Sequence, residues 1–188
     1  MLLELNNSVK KNEIAVPAKV IVRSTAIPFF KGNPHEILSK HLGKIENDKF
    51  YQFYSYGRFS MLDVMVFLLK QIGPAHILCG TWSISQESID QIVRLKNRGE
   101  ILSLAFVLDP RVKVTKAKPL QMLKANFDFV FSPWHAKVTV MQNENWNISI
   151  VSSQNMTQNP KIERGCIFTD KDTYEFDKNV LQDELRRK

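Results

Sequence analysis

Residues 134–163 read WHAKVTVMQNENWNISIVSSQNMTQNPKIE, and the side chains in this stretch suit a phosphodiester. His135 and Lys137 lie two apart in an alternating run, so a strand turns both to one face and Ala136, Val138 and Val140 to the other. Gln142-Asn143-Glu144-Asn145 has turn composition. Beyond it, Ile148 and Ile150 share one face, and Ser149, Val151, Ser153 and Asn155 the other. A hairpin centred on Glu144 sets His135 directly opposite Ser153 on one face, and a one-residue slip separates them. On a shared face, Lys137 supplies a fixed positive charge for a non-bridging oxygen. The Ser153 hydroxyl and the Asn155 amide donate neutral hydrogen bonds as charge develops. His135 is then either a nucleophile or a base, and its second ring nitrogen needs a carboxylate partner. Glu163 is the candidate, because the turn at Asn159-Pro160 brings the chain back alongside.

The elements that must hold these residues can be traced through the rest of the chain. The β-branched run at 19–22 predicts one or two strands in the first thirty residues, before a turn at 31–33. Asn33 followed by Pro34 predicts a capped helix to about Leu42. Residues 50–58, rich in Phe and Tyr, read as a strand, and Ser60 caps an amphipathic helix that runs to Gln71 and closes at Gly73-Pro74. A strand over 75–79, a helix over 85–98 and a strand over 101–108 form a βαβ unit, which implies a parallel pair covered by helices. A short helix near 119–125, a strand near 127–131 and a last helix from about Thr173 follow. The fold class is α/β, with a mixed sheet flanked by helices on both faces.

Composition narrows the classes. The chain has 188 residues, 44% hydrophobic and 24% charged, enough for a sizeable core and unlike disorder, collagen or coiled coil. The most apolar region, 61–78, is broken by Asp63, Lys70, Gly73 and Pro74, so no membrane span is expected. MLLELNNSVKK lacks a basic start followed by an apolar stretch, so no secretory signal is expected. Cys79 and Cys166 sit far apart beside apolar neighbours and read as free thiols of a cytoplasmic protein. His35 and His41, six apart, do not share a helix face as a metal pair would, and His76, inside an apolar run, reads as a core residue. Ser83 and Ser85 read as helix caps.

The formal net charge of +7 favours a polyanionic partner. Much of it is concentrated in Arg111, Lys113, Lys116 and Lys118, with Lys124 beyond and no acidic residue between. The plainer reading of this segment is a solvated loop. The sharper one is a surface for phosphate backbone, since the segment follows the C-terminal end of a strand in an α/β sheet, where ligands usually bind.

His135-x-Lys137, then Ser152-Ser153-x-Asn155, then Asn159-Pro-Lys-Ile-Glu163, resembles the HKD signature of the phospholipase D superfamily. The likeness reaches back through 75–108 and leaves residues 1–60 outside it, so 61–188 is expected to be a phospholipase D-like domain with a single motif and 1–60 a segment packed on it. The family's usual motif Asp is replaced by Gln142 or a neighbour, and Ser152 stands where Gly is usual. The resemblance implies a metal-independent phosphodiesterase with no cofactor. His135 forms a covalent phosphohistidine, Lys137 and Asn155 bind the phosphate, Ser153 assists and Glu163 orients the histidine. One motif where the chemistry uses two histidines implies a homodimer with two copies of His135 at one phosphate. Charge and the lack of a membrane span point to nucleic acid as substrate, DNA before RNA, with no stable membrane association. A phospholipid hydrolase or transferase and a catalytically silent nucleic-acid-binding module are the alternatives.

Overall fold

A computed structural model of the protein describes residues 33–115 and 117–187. The strands expected before residue 31, and Lys116, lie outside the described residues. The elements run α1 (Pro34–Leu42), β1 (Phe50–Tyr54), α2 (Met61–Ile72), β2 (Ala75–Thr81), α3 (Gln86–Asn97), β3 (Ile101–Leu108), α4 (Val112–Thr115), α5 (Ala117–Asn126), β4 (Asp128–Phe131), β5 (Val138–Gln142), β6 (Asn147–Ser152), β7 (Arg164–Phe168) and α6 (Lys171–Arg186).

Local chemistry starts the helices where the sequence places them. Asn33 and Ser60 each close a capping box, with Glu36 and Asp63 as the reciprocal partners, and Ser85 and Asp170 cap α3 and α6. Strand β1 is shorter than the aromatic run predicts, because Tyr56 (φ 47) and Gly57 (φ 70) turn the chain out of extended geometry. Strand β7 has no counterpart among the expected strands. Its pattern is interrupted by Gly165, which faces the Phe53 ring at a point where any Cβ would overlap it.

The seven strands form one sheet in the order β1-β7-β6-β5-β2-β3-β4. Strands β2, β3 and β4 are parallel, and every other neighbouring pair is antiparallel, so the sheet is mixed. Apolar side chains alternate between two cores. Ile77, Phe106, Met141, Ile148, Ile150 and Ile167 meet α1, α2, α3 and α5 on one face. Val107, Val138 and Val140 meet Tyr174 and Leu181 of α6 on the other. Ile37, Leu38, Leu42 and Phe53 belong to the first core, so α1 and β1 share the layers of the elements after Met61. Among the described residues no helix is long and apolar enough to cross a membrane.

Two expectations are corrected. His76 is exposed on β2 and pairs with Ser103 Oγ at 2.8 Å, because its strand position falls on the α6 side beyond that helix's cover. The β5–β6 hairpin is one residue out of the expected register. Val138 pairs with Val151 and Gln142 with Asn147, so the turn is centred between Glu144 and Asn145. The physical cause is Asn143. Its Nδ2 donates to the carbonyls of Ile72 (2.8 Å) and Pro74 (3.2 Å), its Oδ1 accepts from Asn145 N–H, and its own N–H donates to Trp146 O. That leaves a two-residue loop and fixes the register.

Candidate active site

The register slip has a direct consequence for the motif residues. One step past the ladder, Lys137 now lies opposite Ser152, whose N–H donates to Lys137 O at 3.0 Å. Strand alternation alone would therefore put His135 and Lys137 on the face opposite Ser153. Both His135 and Ser153 lie past the last ladder pair, Val138 with Val151, in irregular backbone. They are released from the alternation there, and the site is assembled by loops at one end of the sheet. That end collects the C-terminal ends of β2, β3, β4 and β6 and the N-terminal ends of β5 and β7, the place where open α/β sheets bind ligands.

His135 is exposed, and Lys137 folds back on it, with Nζ 3.3 Å and 3.4 Å from the two ring nitrogens and 2.7 Å from the His135 carbonyl oxygen. Burial lowers the Lys137 pKa, the negative charge of Glu163 opposes that shift, and the positive charge of Arg111 adds to it. Glu163 therefore lies within electrostatic reach of Lys137. Its carboxylate accepts from Ser153 Oγ and from Asn159 Nδ2 (2.5 Å). Ser153 Oγ also accepts from Arg164 N–H at 3.0 Å. Within one chain Glu163 holds Ser153, and no hydrogen bond joins it to His135.

Asn155 is anchored from the other side. Its Oδ1 accepts from the backbone N–H of Trp82 at 3.2 Å and faces the Thr81 hydroxyl at 3.4 Å, which leaves the Nδ2 hydrogens as its donors. Segments 82–85 and 155–156 run side by side, with Ser85 N–H donating to Met156 O, Met156 N–H donating to Ser83 O, and a bridge between Ile84 and Met156. Ser152 is held by Arg164 O (3.0 Å) and Gln154 N–H (3.0 Å).

Three residues at the site carried no signal in the motif. The Trp82 ring stands 6.0 Å from the His135 ring. Trp134 packs on Gly80, where any Cβ would overlap its indole, so the residue preceding His135 is seated by a glycine on β2. Asp109, 4% exposed at the end of β3, is gripped by Arg111 through Nε–Oδ1 (2.7 Å) and Nη2–Oδ2 (2.9 Å). The Arg111 hydrogen bonds hold the Asp109 carboxyl down to about 2, and the charge of His135 adds to that shift. Arg111 thus stands beside the candidate site, over the Trp82 ring. Lys113 lies over the Phe131 ring at 4.3 Å, and Lys118 is exposed near the start of α5. The basic segment is helical over α4 and α5, not a loop.

No protein-family model and no curated protein matches this chain. Solved structures do. Nuc, a phospholipase D family member from Salmonella typhimurium, superposes with a TM-score of 0.54 at 18% identity, over 72% of this chain and 92% of that one. NucT from Helicobacter pylori gives 0.53 at 15% identity, over 72% and 96%. TrmBL2, an archaeal chromatin protein described with a novel mode of DNA binding, gives 0.50 at 11% identity, over 79% and 58%. At these identities the likeness establishes the fold.

Proposed function

We propose that this chain, which has the phospholipase D-like fold, is a phosphodiesterase acting on nucleic acid, DNA before RNA, through a phosphohistidine on His135. The observation that carries this reading is the convergence of His135, Lys137, Ser153, Asn155 and Glu163 on one end of the sheet. An imidazole nitrogen of His135 attacks phosphorus in line with the leaving oxygen. The N–P bond forms as the P–O bond breaks, and the electron pair departs with that oxygen, which takes up a proton. Water then attacks phosphorus and gives up a proton, and the N–P bonding pair returns to the imidazole. Lys137 and the Asn155 Nδ2 group hold non-bridging oxygens as their charge grows, and Glu163 and Ser153 form the polar wall beside them. The proton donor to the leaving oxygen is His135 of a second copy, related by a twofold axis, which makes the active species a homodimer. Following the resemblance to the HKD signature, the reacting step uses no metal.

A phospholipid substrate is the second reading. Tyr54, Tyr56 and Ile162 are exposed apolar side chains on segments that end at the site, the kind of surface a lipid would want. Purified protein assayed in EDTA on plasmid DNA, single-stranded DNA, RNA, phosphatidylcholine vesicles and bis(p-nitrophenyl) phosphate decides among them. Hydrolysis of nucleic acid and of the small diester, lost in His135→Ala, is the expected result. Turnover of the vesicles alone transfers the assignment to lipid. DNA binding with no turnover of any substrate leaves a silent binding module.

A further inference from the structure

Asp109 and Arg111 stand beside the motif residues without belonging to the motif. A buried carboxylate must be paired, and Arg111 alone would satisfy Asp109. The pairing uses one edge of the guanidinium, Nε and Nη2, and the backbone N–H of Arg111 adds a third bond to Oδ1 at 2.9 Å. The remaining N–H donors belong to a side chain that is 61% exposed. One face of the guanidinium lies over the Trp82 ring at 4.8 Å. The same ring stands beside His135, and the same residue's backbone N–H fixes Asn155. Trp82 therefore sets the spacing between Arg111 and the reacting groups.

We infer that Asp109 and Trp82 are positioning residues that present Arg111 to a second, non-reacting phosphate, so that the site is built for a polyanionic strand and not for an isolated diester. The inference rests on the nucleic-acid reading above and specifies which contact makes it. Charge supplies the reason. A single diester carries one negative charge, which Lys137 already meets, whereas a strand brings another with each nucleotide. Arg111 adds positive potential at Lys137, and Lys113 over Phe131 continues the cationic track away from His135. A fork locked on one edge by a carboxylate presents its other edge with little remaining freedom, which is what bidentate phosphate recognition uses.

Steady-state kinetics on a single-stranded DNA oligonucleotide and on bis(p-nitrophenyl) phosphate test this, with Arg111→Gln, Asp109→Asn, the double variant and Trp82→Phe. Arg111→Gln and Asp109→Asn are expected to raise KM for the oligonucleotide about tenfold and to cost kcat/KM on the small diester several-fold less than that. The double variant should be no worse than Arg111→Gln, because Asp109 acts through Arg111. Trp82→Phe, which keeps an aromatic face, should recover most of the wild-type KM. Equal losses on both substrates, or additive losses in the double variant, overturn the inference. Filter binding of the oligonucleotide to the same variants in a His135→Ala background gives a readout independent of turnover. There, Arg111→Gln should make the salt slope shallower by about 0.7, one single-strand phosphate contact. A wild type that cleaves neither substrate defeats the phosphodiesterase reading, while an unchanged slope defeats this one.

Discussion

His135 and Lys137 are placed by backbone past the end of a ladder, and they contribute little to either core. His135→Ala should therefore remove at least about a thousandfold of phosphodiesterase turnover while leaving the thermal unfolding midpoint unchanged, and Lys137→Ala should behave alike. Wild-type turnover in His135→Ala would sink the mechanism. Asp109 supports a prediction about stability. Its folded pKa, about 2, lies below the ordinary 3.8, so the carboxylate's contribution is fully present above that ordinary value and is lost as pH falls toward about 2. Urea unfolding of wild type and Asp109→Asn should differ most near neutral pH, and the difference should shrink at acid pH. A difference that grows on acidification contradicts the ion pair. Cys79 is buried and its thiol is pushed up to about 12, which makes it a structural side chain.

At the scale of elements, β2 and the segment leading into β5 meet at Gly80. The Trp134 indole occupies the space a Cβ would take, so Gly80→Ala must displace either the strand or the ring. It should destabilise the protein by roughly 1–3 kcal/mol, the usual cost of overpacking. Because Trp134 precedes His135, it should also lower turnover more than an equally destabilising change in the distant α1, such as Leu38→Ala. Chemical denaturation alongside kinetics on both variants checks it, and equal loss of activity at equal destabilisation removes Gly80 from the site's support. The helix caps at Asn33, Ser60 and Ser85 follow from sequence because each bond spans three residues, while the equally local Asp170 cap starts α6 two residues before the expected Thr173. The hairpin register depends on a contact some seventy residues away, from Asn143 to Ile72 and Pro74, and no local pattern encodes that.

For the whole molecule, one copy of His135 per chain predicts a homodimer in which the two imidazoles face each other across the twofold axis. Light scattering should give twice the mass of 21.8 kDa, and a monomer that turns over substrate at all concentrations refutes it. The net charge of +7 predicts salt-sensitive binding of nucleic acid, with the log-log slope set by the number of phosphate contacts. Neutralising Lys113, Lys116 and Lys118 together should flatten that slope, lower affinity alike for unrelated sequences and spare the small diester. An unchanged slope returns these lysines to ordinary solvated surface.

The sequence by itself determined the mixed α/β class and the βαβ unit from β2 to β3, and it nominated the ordered set His135, Lys137, Ser153, Asn155 and Glu163, because periodicity, caps and motif spacing act over short stretches of chain. It missed β7, where Gly165 answers to the Phe53 ring across the sheet, and it put His76 in the core, since an apolar strand does not reveal where its covering helix stops. Only the tertiary structure decided how the motif assembles. A long-range amide, Asn143, sets the hairpin one residue over, and the candidate residues meet where their strands have ended. Trp82 and Asp109, which no sequence pattern marked, are set with Arg111 beside the candidate site because parallel strands deliver their C-terminal ends to the same edge.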